Sequence, residues 1–236
     1  MNAGPGWVGW RALGGFLTCT IALGLLVGTA GAADAHDGSS VTKAKKSLLV
    51  LSDMPKGWKS SKSDNNNPPT PDAAQLAACL GVPLSVVTDN PPTAYSPDFA
   101  SKNDLESVDD SIEVFPSAKA ARADLATASS PKAPGCFNTN FNSAAAKSQL
   151  RSAFGAGSSI GAVDVTRTPA SDYGPHTANI TIYVPVTTHG VTLNIETAEV
   201  GFVKGNEEQM VTLTSVQTPF PTALSKRLTT LADGRL

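Results

Sequence analysis

Histidine is almost missing from this chain, with three residues in 236. That scarcity excludes a metal centre built on several imidazoles. His36, His176 and His189 also share no spacing that places two of them on one helix or strand face. Aromatic residues make up only 6% of a chain that is 41% hydrophobic. Much of the apolar content is alanine, so Trp58, Phe99 and Phe115 are needed in the core. Excess charge is missing too. The formal net charge is -2, and Arg151, Arg167, Arg227 and Arg235 are scattered, so no nucleic-acid or anionic-membrane surface is expected. There is no internal repeat, heptad pattern, low-complexity tract or paired-arginine export signal.

What is present begins with a leader. Residues 1–32 hold no acid and one base, Arg11. An apolar run over 16–27 follows, ending in Ala30-Gly31-Ala32. A basic start, an apolar middle and a small-x-small end form a secretory signal peptide, with cleavage expected after Ala32 or, as the alternative, after Ala35. Uncleaved, the 13–33 segment is long enough to anchor the chain in a bilayer. Cys19 is no lipoprotein cysteine: Phe16-Leu17-Thr18 before it lacks small residues, and the apolar run continues beyond it. Cys79 and Cys136 therefore remain after cleavage. Two cysteines in an oxidising compartment usually pair, the alternative being two free buried thiols. A bond closing that loop stabilises by about 4 kcal/mol in the chain-entropy account.

The mature chain is organised around the stretch 158–216. There Ile180, Ile182, Val184 and Val186 interleave with Asn179, Thr181 and Tyr183, the period-two signature of a strand with one apolar and one wet face. Strands are expected at Val163 and Val165, over 180–186, over 191–203 and around Met210, Val211 and Leu213. His189-Gly190 and Gly205-Asn206 supply hairpin turns. The apolar phase slips within 191–203, from Val191, Leu193 and Ile195 to Ala198, Val200 and Phe202, which predicts a bulge near Glu196-Thr197.

Upstream, residues 33–42 read as a polar tether and 43–53 as a short helix. Thr70, Pro71 and Asp72 open a helix that Gly81 ends, Pro83 preventing a restart. Strands are expected over 95–100 and 106–115. Ser117 caps a helix to about Ala128, one further helix covers 135–154, and a last one runs from Pro221 to a stop at Gly234. Cys79 sits in the last turn of one helix and Cys136 in the first turn of another. Without βαβ alternation, the fold class is α+β, a mainly antiparallel sheet with helices packed on its faces, forming one domain over 43–236.

Candidate chemistry is sparse. Gly157-Ser158-Ser159-Ile160-Gly161 matches the G-x-S-x-G nucleophile elbow, with Asp172 and His176 or His189 downstream in hydrolase order. An elbow needs a strand before the serine and a helix after it, and here the order is helix then strand. Gly155, Gly157 and Gly161 miss dinucleotide spacing and also follow a helix. Asp104, Glu106, Asp109, Asp110 and Glu113 lack the glycine turn and distal glutamate of an EF-hand. They read as a solvated, charged edge strand that resists edge pairing. No catalytic, cofactor or metal residue emerges.

Several phrases occur together: Leu51-Ser52-Asp53-Met54-Pro55 with Gly57-Trp58, Ala78-Cys79-Leu80-Gly81, Ser96-Pro97-Asp98-Phe99, Val114-Phe115-Pro116-Ser117, and the stretch 131–136. With the C-terminal strands and helix, they resemble poorly characterised exported actinobacterial proteins. They are also similar to the extracellular sensor domains of actinobacterial Ser/Thr kinases and to Mog1/PsbP-like envelope lipoproteins. The resemblance spans about 45–234 and implies a helix-flanked sheet with a cleft for a ligand or partner. It carries over no catalytic residue. The chain departs from it in having two mature cysteines rather than four, no kinase domain and no lipoprotein cysteine.

The expected function is a non-catalytic exported binding module of the envelope or extracellular space. It takes an unknown small ligand or envelope protein in a sheet/helix cleft, without a cofactor. Membrane contact is expected only if the leader stays on. The alternatives are a secreted serine hydrolase using Ser159 and a purely structural envelope protein.

Overall fold

Alternation over 177–216 becomes three long strands joined by tight turns. They are β7 (Thr177–Thr188), β8 (Val191–Lys204) and β9 (Glu207–Val216). His189 and Gly190 both take positive φ, 50° and 77°, as a two-residue hairpin with the strand twist demands. The computed structural model describes residues 38–63, 70–88, 91–167 and 177–236. The leader, its cleavage points, His36, Asp172 and His176 lie outside these residues.

Six shorter strands complete the sheet: β1 (Lys59–Ser61), β2 (Thr93–Tyr95), β3 (Asp98–Ala100), β4 (Glu106–Val114), β5 (Ser159–Ile160) and β6 (Asp164–Arg167). Their order is β1-β3-β4-β9-β8-β7-β5, with β2 also on β4 and β6 also on β7. Every pairing among the described residues is antiparallel. With the seven helices of the described residues around it, the sheet makes the fold α+β and mainly antiparallel.

The predicted bulge is absent. β8 pairs without interruption with β7 on one side and β9 on the other, through Glu196 and Thr197. The apolar phase slips because one strand serves two cores on opposite faces. Leu193 and Ile195 face a core with Ile180, Ile182, Val184 and Val186, covered by α2 (Ala73–Leu80), α3 (Leu84–Thr88) and α5 (Ala133–Phe141). Ala198, Val200 and Phe202 face a second core with Phe99, Val108, Val211 and Leu213, covered by α7 (Thr222–Arg235) through Leu228 and Ala232. Each helix layer therefore covers only part of its own sheet face.

Local chemistry sets the helix ends, and several differ from expectation. α1 runs Gly38–Ala44, from within the segment read as a tether into the helix expected from 43, and Ala44 is buried against Ile112 and Val114. A 3-10 turn, Leu51–Asp53, replaces the end of the helix expected to 53. α2 begins after Asp72, in the left-handed region at φ 49°, so Thr70 does not cap it. Pro83 opens α3 instead of preventing it, since a proline lacking N–H fits a helix start. Ser117 caps α4 (Ala118–Ala128) by accepting the Ala120 N–H at 3.1 Å.

The helix expected over 135–154 is two, α5 and α6 (Ala144–Phe154). Asn142 sits at the break, its Nδ2 donating to the Val163 carbonyl (2.8 Å) while its Oδ1 accepts the Val163 N–H (3.0 Å). α7 continues through Gly234 instead of stopping there. Cys79, in the last turn of α2, is bonded to Cys136, in the first turn of α5, with Cα atoms 5.6 Å apart. No described helix is long and apolar enough to cross a membrane.

Candidate functional site

Ser159 lies on β5, exposed, paired with Thr187 of β7. It follows Gly155 and Gly157 at φ 89° and 88°, so helix leads to strand, opposite to a nucleophile elbow. The buried serine is its neighbour: the Ser158 hydroxyl donates to the Phe154 carbonyl at 3.0 Å and finishes α6. His189 occupies a hairpin tip, its Nδ1 3.1 Å from the Thr188 hydroxyl. No described histidine is hydrogen-bonded to Ser159, so no described base serves it as a catalytic nucleophile requires.

The acidic strand is not an edge. β4 lies between β3 and β9, and only Asp104, in the turn before it, is well exposed. Asp110 is buried; its Oδ2 accepts the Leu49 N–H (2.8 Å) and both its oxygens meet the Gln209 amide nitrogen, at 3.0 and 2.9 Å. Burial dominates those bonds and pushes the carboxyl up to about 7. Glu113, also buried, is pushed to about 7 by burial, and Glu208 stands opposite it across β4–β9. Glu208 is raised well above its ordinary value by burial and by the Glu113 charge. Glu199, on the same face, is pushed by burial to about 8. Among the described residues no group of three or more His, Cys, Asp or Glu side chains is placed to hold a metal ion.

A different row of side chains surrounds an aromatic that meets solvent. Residues opposite one another in an antiparallel pair point to the same face. Asp164 is opposite Tyr183, Tyr183 is opposite Glu196, Glu196 is opposite Ser215, and Ser215 is opposite Glu106. The five form one row across β6, β7, β8, β9 and β4, on the face that α7 covers farther along. At the usual strand spacing the row is about 19 Å long.

Tyr183 is 40% exposed, one of few large apolar side chains in solvent. Partial burial, then the Glu196 and Asp164 carboxylates, push its phenol up. Glu196 is raised by burial against the opposing N–H donated by Phe220, just before α7. Ser215 is fully buried in the row, and its hydroxyl has no hydrogen-bond partner. The rows on either side are neutral: Thr166, Thr181 and Ala198 on one, Pro185 and Asn194 on the other. The result is an aromatic ring flanked by carboxylates, bordered by the start of α7.

Sequence reasoning missed these residues as a site. The available signal was Tyr183 itself, an aromatic on the wet side of an alternating strand. Apart from this open face, a shallow groove of about 680 Å³ along α7 is lined by Lys226, Arg227, Thr230, Leu231, Gly234 and Arg235. Arg235 there is committed to Asp53 by two bonds, of 2.7 and 2.8 Å.

No family model and no curated protein matches the chain. Among solved structures it is similar to the extracellular domain of PknH from Mycobacterium tuberculosis, at 14% identity and a TM-score of 0.36. The alignment covers 80% of this chain and 95% of that one. A likeness this distant carries no argument about the site.

Proposed function

We propose that the protein is a non-catalytic exported binding module whose docking surface is the sheet face centred on Tyr183. The observation that carries this reading is the register row Asp164–Tyr183–Glu196–Ser215. Tyr183 leaves two-fifths of its surface in solvent between two carboxylates, and such amphipathic rings are enriched where proteins meet partners. Export is supported by the leader and by the Cys79–Cys136 bond, since such bonds persist in oxidising compartments. The surface is an open sheet face beside α7, in place of the sheet/helix cleft expected from the sequence.

The test uses the mature protein purified from its original host. Native mass spectrometry is expected to show a retained ligand or partner that Tyr183→Ala loses without a change in melting temperature. A hydrolytic activity abolished by Ser159→Ala overturns the reading. A bound species indifferent to Tyr183 moves the site elsewhere.

A further inference from the structure

We propose that the Tyr183 row receives a cationic side chain from a protein partner, carried on an extended lysine- or arginine-bearing segment that lies across the strands. This rests on the docking reading above and names the chemistry of its occupant.

The charge pattern selects a cation. Glu106, Glu196 and Asp164 stand in one row with no base among them, and the flanking rows are neutral. An ammonium or guanidinium group over the Tyr183 ring would meet the negative face of the aromatic and a carboxylate on either side. Asp164 and Glu196 stand two strand spacings apart, about 10 Å, which is too wide to close around a metal ion but suits a cation seated above the ring between them.

The Ser215 hydroxyl points independently to a ligand. It lies between Glu196 and Glu106 in the row, fully buried, with no partner. Buried hydroxyls are normally hydrogen-bonded.

The shape selects a protein segment over a small molecule. Small-molecule sites are concave and enclose most of the ligand, whereas this row is laid out along an open sheet face with a half-exposed ring at its centre. Its length of about 19 Å matches about six residues of extended chain.

The experiment titrates the mature chain, at low salt, with a blocked peptide alternating glycine and lysine. Its glutamate counterpart and spermidine serve as comparison probes, and amide NMR signals give the readout. The lysine peptide is expected to shift the signals of Asp164, Tyr183, Glu196 and Ser215. Tyr183→Leu should weaken it about 3-fold, and the pair Asp164→Asn with Glu196→Gln about 10-fold. Each variant should keep the wild-type melting temperature. Equal affinity in wild type and variants overturns the proposal. Spermidine binding as tightly as the peptide overturns the protein segment. The glutamate peptide shifting the same signals overturns the cation while leaving the docking surface standing. If no probe shifts this face and a retained native partner ignores Tyr183→Ala, both readings fall.

Discussion

Replacing Glu199 by glutamine should flatten the dependence of stability on pH. Glu199 sits in the middle of β8, opposite Thr212 and Ile180, and is 6% exposed. Burial alone moves its carboxyl from an ordinary 4.5 to about 8. Between those values the folded chain holds a proton that the unfolded chain has released. The folded pKa is raised, so this stability is present at acid pH and is lost as pH rises through the window. At about pH 5 the loss is under about 1 kcal/mol, and at about pH 8 it reaches roughly 4 kcal/mol. Wild type should therefore lose about 3 to 4 kcal/mol between those conditions through this side chain, on the order of 10 °C in melting temperature. Glutamine keeps the shape and cannot ionise. Urea unfolding at several pH values reads both slopes, with Asp110 and Glu113 contributing equally to each chain. Parallel curves for wild type and Glu199→Gln, or a wild type that grows more stable toward pH 8, would refute the reasoning.

Three further outcomes follow from the same packing. Cys79 and Cys136 are 57 residues apart, so Cys79→Ser with Cys136→Ser should cost about 4 kcal/mol in thermal unfolding; an unchanged midpoint would show that the loop is constrained by packing alone. Arg235→Ala should cost about 2 kcal/mol in urea, because it removes the bidentate bond to Asp53 and the bond to the Leu48 carbonyl at 3.1 Å. Burial acts to raise Asp53, but the Arg235 and Val50 bonds outweigh it and hold the carboxyl below its ordinary value. Stability from that pair should thus be present above the ordinary carboxylate range and fade as pH falls through the folded value. Asp110→Asn should be tolerated within about 1 kcal/mol near neutrality, since Gln209 holds a buried carbonyl without a partner that the new amide can satisfy. Asp110→Leu orphans the Leu49 N–H and should cost about 1 to 3 kcal/mol or more, so equal melts for the two variants would contradict this account.

Segments whose signals are local were legible in the sequence. Ser117 and Ser143 cap helices through their own hydroxyls, yet only Ser117 was recognised. The difference is that Asn142, just before Ser143, breaks the helix by bonding to Val163, a residue its own neighbourhood does not reveal. Pro83 was misread because a proline ends one helix and begins the next by the same lack of an N–H. The bulge expected in β8 failed for a global reason. A phase slip in one strand means a bulge if there is one core, and means nothing of the kind when two cores lie on opposite faces.

The buried acids of β4 and β8 and the row around Tyr183 were illegible for two different reasons. Charge reads as exposure because an ion is costly to bury, and the rule breaks where burial moves the proton instead of excluding the residue. Asp110, Glu113 and Glu199 are such cases, each pushed to about 7 or 8. For the row, the governing quantity is register. Asp164, Tyr183, Glu196, Ser215 and Glu106 share no period in the chain, and pairing alone brings them into line. A one-residue slip between β7 and β8 would turn Tyr183 away from Glu196 toward the opposite face. The cores forbid that slip, because it would also turn Ile180, Ile182 and Val184 out of theirs. Burial on one face of β7 thus fixes which side chains stand together on the other.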